Sequence, residues 1–542
     1  MPGWPVGSAG PTVAELIVRG LLKAGVSRLF GVPGGGSTLD ILEAARLGGL
    51  PFVFCHQEWA ACIMAAVTGE LTGHPGASLS TLGPGVTASV TGLAHAFLDR
   101  SPMIHLSDRH PDSALAFTTH QLVDHTALLG PIVKGSVTVT ADSVGDQVAQ
   151  AAELAVSEPR GPVHLDLPAD LAGRSAPPML AAMAPPPLPP PLDAAALDRA
   201  AELIVGAKRP IVIAGLQCRA SDAKWVRAFC EALPAPLLTT YKAKGAIPDP
   251  HPLAMGVFTG GMLEEPIVRR ADLIIALGLD RVELIPRRWP YTAPVLALTR
   301  GPSHDAGHRP PRQTSASFTP ALEVVGDLGA ILEEMAPRLV SQYRADWDVV
   351  EVDRLRRERR GALEIAVPGL APHRVVQLAR EFTPAGTIAT VDAGAHVFAA
   401  TAYWDAVEPG ELLISNGLGT RGFALPAAIA AQLVHPDRRV VCFTGDGGLM
   451  MVAAELETAA RLRLPILVIV FDDGALPLVA LARAFGLQAF AAGDEDTFRS
   501  ALFSALAAPG PALIDARIDP SGHRRTLEIV RGASCTGTGG QG

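Results

Sequence analysis

The residues of this chain that most clearly suggest chemistry are two carboxylates set at the ends of two apolar strands. In the stretch 439–475 an apolar run, 440–443, leads into Gly445-Asp446-Gly447-Gly448. An amphipathic helix is expected next. A second apolar run, 466–471, then ends in Asp472-Asp473-Gly474-Ala475. A strand–helix–strand unit of this kind makes a right-handed crossover between parallel strands. Open α/β sheets bind ligands at the carboxyl ends of such strands. Glycines let the backbone approach a phosphate, and a helix start supplies free N–H donors. Mg²⁺ favours one or two carboxylates completed by phosphate oxygens. The pattern therefore predicts a metal–diphosphate site on Asp446 and Asp473. A lone Gly-Asp-Gly is more simply a tight turn; the flanking strands and the second acidic turn carry the functional reading.

Composition frames this site. The chain has 542 residues, 48% hydrophobic and 18% charged, with a formal net charge of −9. Those values suit a compact α/β protein and exclude a general basic footprint for nucleic acid. Six cysteines (Cys55, Cys62, Cys218, Cys230, Cys442 and Cys535) show no metal-type spacing. Several lie in apolar runs, which predicts reduced core residues and a cytoplasmic protein. The start MPGWPVGSAGP has neither a charged leader nor an apolar run, and no stretch reaches membrane-spanning length. No membrane partner is expected.

Three blocks of alternating strands and helices must position the site, and alternation of this kind predicts parallel sheets. The expected fold class is α/β, with three doubly wound domains at 1–175, 193–340 and 371–532. A proline-rich linker at 176–192, containing PPPLPPP, is expected to be stiff and extended. A linker or helical segment fills 341–370, and the small, polar tail 533–542 is expected to be disordered. In the first block Thr12 and Glu15 form a capping box. Val13, Leu16, Ile17 and Leu21 follow at helical spacing, and Gly25 closes the helix. A strand at 28–32 enters the turn Pro33-Gly34-Gly35-Gly36. The second block has strands at 210–214, 237–240 and 273–277 and a long loop at 301–314. The third has a strand at 387–391 that runs into Asp392-Ala393-Gly394-Ala395-His396.

Glu58 supplies the other half of the chemistry. It ends Cys55-His56-Gln57-Glu58, opens an alanine-rich apolar helix, and is followed by Gly83-Pro84-Gly85. A carboxylate facing the helix dipole would explain it structurally. The run 54–100, however, resembles the pyrimidine-binding domain of acetolactate-synthase-like thiamine-diphosphate (ThDP) enzymes. The Gly-Asp-Gly segment resembles that family's diphosphate signature, with its second acid 473 − 446 = 27 positions on. FGVPGG at 30–35, AHAFLDRSP at 94–102, HQLVD at 120–124 and KGAIPDPHPL at 244–253 are further landmarks. The resemblance spans about 12–532.

It implies a pyrimidine-binding domain, a central Rossmann-like domain and a diphosphate-binding domain, in that order. By the same resemblance Glu58 is the cofactor-activating acid, and His120 and Gln121 lie near the second substrate. Asp446 and Asp473 hold Mg²⁺ through their side chains and Ala475 through its carbonyl. Gly34, Gly35, Pro84, Gly394, His396, Gly419, Thr420, Arg421, Gly445, Gly447 and Gly448 surround the cofactor. The implied reaction decarboxylates a 2-oxo acid, transfers the acyl unit to a second carbonyl, or does both. The implied assembly is a homodimer or a dimer of dimers, with the active site at the subunit interface. FAD in the central domain is left undecided.

Three residues and one segment depart from the family pattern. Arg421 stands where a large apolar residue usually lies under the cofactor. A guanidinium about 4 Å from a cationic thiazolium would cost about 4 kcal/mol at an effective dielectric near 20. Arg421 is therefore expected to turn away, toward a diphosphate or a substrate carboxylate. Asp472 replaces the usual Asn, and Ala395 a frequent Gln. The segment after Ala475 is short. These departures motivate a second reading, a catalytically degenerate member of the fold acting as a binding partner. A third is an enzyme like 2-hydroxyacyl-CoA lyase or oxalyl-CoA decarboxylase. His56 and His110 are further cavity candidates, although a loop histidine is more often a surface residue.

Overall fold

In a computed structural model, described for residues 10–177, 191–284, 289–301, 318–339, 345–474 and 476–532, the chain forms three six-stranded sheets. The first contains β1 (Leu29–Gly31), β2 (Phe52–Phe54), β3 (Gly76–Ser80), β4 (Met103–Arg109), β5 (Gly135–Thr138) and β6 (Pro162–Pro168), in the order β2-β1-β3-β4-β6-β5. The second contains β7 (Pro210–Ala214), β8 (Leu237–Thr239), β9 (Ala254–Val257), β10 (Leu273–Leu277), β11 (Val295–Thr299) and β12 (Leu322–Val325), in the order β12-β11-β10-β7-β8-β9. The third contains β13 (Ile388–Val391), β14 (Leu412–Ile414), β15 (Val440–Gly445), β16 (Ile466–Asp472), β17 (Gln488–Ala492) and β18 (Ala512–Arg517), in the order β14-β13-β15-β16-β18-β17. Every strand pairing in the three sheets is parallel.

Renumbered from their own first strands, the first and third sheets run in the same order, although the sequence shows no repeat. The second follows the dinucleotide-binding order, growing outward from β7 and β10. A central strand of a parallel sheet is covered on both faces, so its sequence is nearly continuous in apolar residues. Ile466–Asp472 is buried at all seven positions. Each Val or Ile so buried contributes about 1.5–3 kcal/mol.

The chain divides into two compact units. One comprises Met1–Leu188, Gly417–Pro436 and Val452–Leu464; the other comprises Pro189–Asn416, Asp437–Met451 and Pro465–Gly542. Within the first unit the helix Glu58–Thr72 packs against the helices Pro84–Leu98 and Ala424–Val434. Two segments distant in sequence thus complete the packing around the first sheet. Within the second unit the landmark at 244–253 has a structural role. Buried Lys244 pairs with Asp249 at 2.7 Å, and Asp249 accepts the Ala406 N–H at 2.7 Å.

Several local expectations need correction. The crossover from β15 to β16 holds two short helices, Asp446–Met451 and Glu455–Arg461, rather than one. Gly445 and Asp472 belong to the strands, which lengthens both runs. Only half of the capping box forms. Thr12 accepts the Glu15 N–H at 3.2 Å, but the Glu15 carboxylate pairs with Arg19 at 3.3 Å. The strand expected at 28–32 is limited to Leu29–Gly31, and β9, β11 and β12 were not anticipated. Cys55, Cys62, Cys218, Cys230 and Cys442 are buried free thiols. Most of the proline-rich linker, most of the 301–314 loop, the tail with Cys535, and Ala475 lie outside the described residues. No helix among the described residues is long and apolar enough to cross a membrane.

Candidate active site

In the first unit the strand order reverses between β1 and β3, and ligands of doubly wound sheets bind at such a reversal. The loop carrying Gly34 and Gly35 leaves β1, and the one carrying Gly83 and Pro84 leaves β3. A methyl at Gly34 would lie 2.5 Å from Thr81, so glycine is what lets these loops touch. Gly83 has φ +57° and presses against Gln121, whose own φ is +56°. The Gly83 N–H donates to His125 Nε2 at 3.3 Å. That nitrogen must then be unprotonated, so the ring proton sits on Nδ1, 3.0 Å from Asp166 Oδ1. The Ser107 hydroxyl donates to the same oxygen at 2.8 Å.

Asp108 ties down the loop after β1. Its carboxylate accepts from the Ser37 hydroxyl, while Oδ2 is buried without a hydrogen-bond partner. Burial pushes this carboxyl up to about 7, against the Thr38 backbone N–H, which lowers it. The folded state therefore binds a proton that the unfolded chain releases near pH 4. Stability contributed by the neutral carboxyl is complete below about pH 4 and is lost as pH rises toward 7. Asp108→Asn is expected to gain stability relative to the parent between about pH 5 and about pH 8, by roughly 1–4 kcal/mol. Urea unfolding at both ends of that window measures it; a pH-independent difference would count against the raised carboxyl.

Glu58 opens its helix four positions after β2 ends, and is half-buried. Burial raises its carboxyl above the ordinary range. The approach to it is fixed from a distant segment. Glu455 Oε1 accepts the N–H groups of His56 at 2.9 Å and Gln57 at 3.2 Å, and Thr458 donates to Oε2 at 2.7 Å. Buried backbone donors need such partners, and Glu455 satisfies two in the turn before Glu58. His56 itself pairs with Glu457 at 2.7 Å, and His110 bonds the His120 carbonyl at 2.8 Å. Both histidines thus have structural partners. His120 and Gln121 are exposed. Thr420 is buried, whereas Gly419 (φ +65°) and Arg421 are exposed.

The second unit carries the acidic half. Its third sheet reverses order between β13 and β15. The turn with Gly394 and His396 follows β13, and Asp446 follows β15. β15 pairs directly with β16, Gly445 opposite Phe471, so Asp446 meets Asp472 and Asp473 at neighbouring exits. One carboxylate oxygen from each of the three lies within 4.8 Å of the others. At an effective dielectric near 20, each ionised pair at that separation repels by about 3 kcal/mol. Asp472 is 1% exposed, and neither of its oxygens accepts from an N–H or hydroxyl group among the described residues. Asp515 on β18 is raised by burial and by the adjoining Asp472 carboxylate. Such a concentration of acid fits a divalent cation.

A phosphate fits beside it. His396 stacks on Phe471 at 4.9 Å and 12°, and its buried Nε2 has no hydrogen-bond partner. Burial depresses the ring to about 3. A phosphate oxygen there would complete its hydrogen bonding and raise its proton affinity. The space above Gly447 is open, while a methyl at Gly448 would lie 2.2 Å from Asp392 Oδ2. Gly447 thus leaves room for a ligand, and Gly448 allows close packing of the turn.

The second sheet is different. At the turn after β7 the Leu216 N–H donates to Glu283 Oε2 at 2.7 Å, and Thr240 donates to Oε1 at 2.5 Å. A dinucleotide phosphate would use that turn, and here a carboxyl group already occupies it.

His125, Asp166, Glu455 and Asp108 were not anticipated as parts of the site. Polar His164 and Asp166 inside the buried strand Pro162–Pro168 are a sequence signal of an internal network. Glu455 gives no local signal, because its partners lie about 400 positions away in the chain.

Comparison with known proteins matches the order of the three sheets. The thiamine pyrophosphate enzyme N-terminal TPP binding domain matches residues 11–128, the central domain 197–335, and the C-terminal TPP binding domain 392–479. Acetolactate synthase of Bacillus subtilis (strain 168) is 29% identical over 544 residues, covering 94% of this chain and 93% of that protein. Acetolactate synthase isozyme 3 large subunit of Escherichia coli (strain K12) is 30% identical over 497 residues, covering 86% and 83%. The catabolic acetolactate synthase of Raoultella terrigena is 29% identical over 546 residues, covering 93% and 95%.

Proposed function

Because the chain belongs to the acetolactate-synthase-like family of thiamine-diphosphate-dependent enzymes, we propose that it decarboxylates a 2-oxo acid and joins the acyl unit to a second carbonyl, with Mg²⁺ holding the cofactor. The observation that carries this reading is the set of three carboxylates within 4.8 Å, beside a glycine turn and the unpartnered His396 nitrogen. Bound ThDP supplies a thiazolium carbon at which the bond next to a 2-oxo group is broken or made.

The chain's own residues would do the rest. Asp446 and Asp473 hold the metal, and the Ala475 carbonyl is proposed as a further ligand. Gly394, His396, Gly445, Gly447 and Gly448 receive the diphosphate. Glu58, its carboxyl raised by burial, holds and passes a proton at its carboxyl oxygen. Gly34, Gly35 and Pro84 shape the neighbouring loops, and His120 and Gln121 face the second substrate. Gly419, Thr420 and Arg421 form the remaining wall, Arg421 directed toward an anionic group. The site is completed by a second copy of the chain, one copy supplying Glu58 and the other the Asp446 group, in a homodimer or dimer of dimers working in the cytoplasm.

The test is Mg²⁺-dependent binding of ThDP by calorimetry, followed by CO₂ release from a panel of 2-oxo acids that includes pyruvate. Lack of ThDP binding would sink the proposal, and binding without CO₂ release would favour a binding partner over an enzyme. The carboxyl at the turn after β7 supports a central domain without FAD. Purified protein should then lack flavin absorbance; a stoichiometric flavin band would contradict this.

A further inference from the structure

Asp472 belongs to the cluster of three carboxylates, but only Asp446 and Asp473 have been given a place on the metal. Asp472 ends β16 and is 1% exposed; neither carboxylate oxygen accepts from an N–H or hydroxyl group among the described residues, and its one polar neighbour on β18 is the Asp515 carboxyl. One Asp472 oxygen lies within 4.8 Å of oxygens from Asp446 and Asp473. Asp515 approaches from β18 with a further carboxyl, itself paired with the exposed Arg517 at 3.6 Å. Nothing in the fold of the strand requires an acid there, since an amide of the same shape would lack the like-charge repulsion. A buried carboxylate whose nearest charged neighbours are other carboxyl groups is stabilised by a cation.

We propose that Asp472 is a third carboxylate ligand of the cation, so that the ion binds this chain before, and without, the diphosphate. The inference rests on the metal–diphosphate reading above and deepens it. Mg²⁺ ordinarily relies on phosphate oxygens to complete its shell when only one or two carboxylates are present. A third carboxylate replaces part of that contribution, and ligand charge count is what tunes affinity at oxygen sites. The order of assembly follows: the ion docks first and the anionic diphosphate arrives at a neutralised site.

Mn²⁺ is the probe, because its free form is read directly by electron paramagnetic resonance. Without ThDP, the parent protein should bind Mn²⁺ and its thermal midpoint should rise. Asp472→Asn should weaken Mn²⁺ binding about tenfold or more under the same conditions. Equal Mn²⁺ affinity in the two proteins overturns the proposal. So does a parent that neither binds Mn²⁺ nor gains thermal stability from it without ThDP, and this arm stands even where the substituted protein fails to fold. ThDP titrated into the parent with saturating Mn²⁺ separates the two readings. Absence of ThDP uptake there refutes the cofactor assignment, whereas uptake with no prior ion binding refutes only the role of Asp472.

Discussion

Glu58→Gln is expected to lower CO₂ release from a 2-oxo acid by about 10²- to 10⁴-fold, the range spanned by general acid–base groups. The amide keeps the length and shape of the side chain but cannot hold or give up the proton. Glu58 sits at the start of its helix, and the preceding turn is fixed through His56 and Gln57 by Glu455. The backbone should therefore stay in place, and Mg²⁺-dependent ThDP affinity should remain within about tenfold of the parent. Calorimetry beside single-turnover CO₂ release separates these outcomes. Turnover unchanged by the substitution would remove Glu58 from the chemistry, and loss of binding in step with turnover would make it a structural residue.

Asp446→Ala is expected to weaken ThDP binding by at least about 100-fold, some 3 kcal/mol. The substitution removes a carboxylate at the exit of β15, where Gly445 pairs opposite Phe471 and the neighbouring strand brings Asp473 alongside. Titration of ThDP at fixed Mg²⁺ measures the loss. Affinity within a few-fold of the parent would mean that the diphosphate is held elsewhere. Fold stability should change little, because Asp446 is only partly buried and makes no described hydrogen bond to the core. A large fall in the thermal midpoint would instead assign this residue to the fold.

The most buried elements were the easiest to read. The strands Pro210–Ala214 and Leu273–Leu277 appear where their apolar runs place them. Such strands are covered on both faces and cannot accept polar residues without partners. The short strands Ala254–Val257, Val295–Thr299 and Leu322–Val325 were missed, since runs of four or five residues carry little periodicity. The Gly-Asp-Gly turn and its partner acid were legible because a crossover between adjacent parallel strands ties chain spacing to spatial neighbourhood. Two short helices in place of one longer helix did not disturb that relation.

Residue types and local spacing alone determined that this chain has parallel α/β blocks, that Asp446 and Asp473 come together at neighbouring strand ends, and that Glu58 begins an apolar helix. Only the tertiary structure decided which strands adjoin, that the first and third sheets share one order, and that residues 417–436 and 452–464 pack with the first sheet. It alone showed that Glu455 secures the turn before Glu58 and that Asp472 is buried among other carboxyl groups. The reason is range. Periodicity and turn chemistry act over a few residues and leave a mark in the sequence, whereas a hydrogen bond between residues 399 positions apart depends on how the whole chain closes.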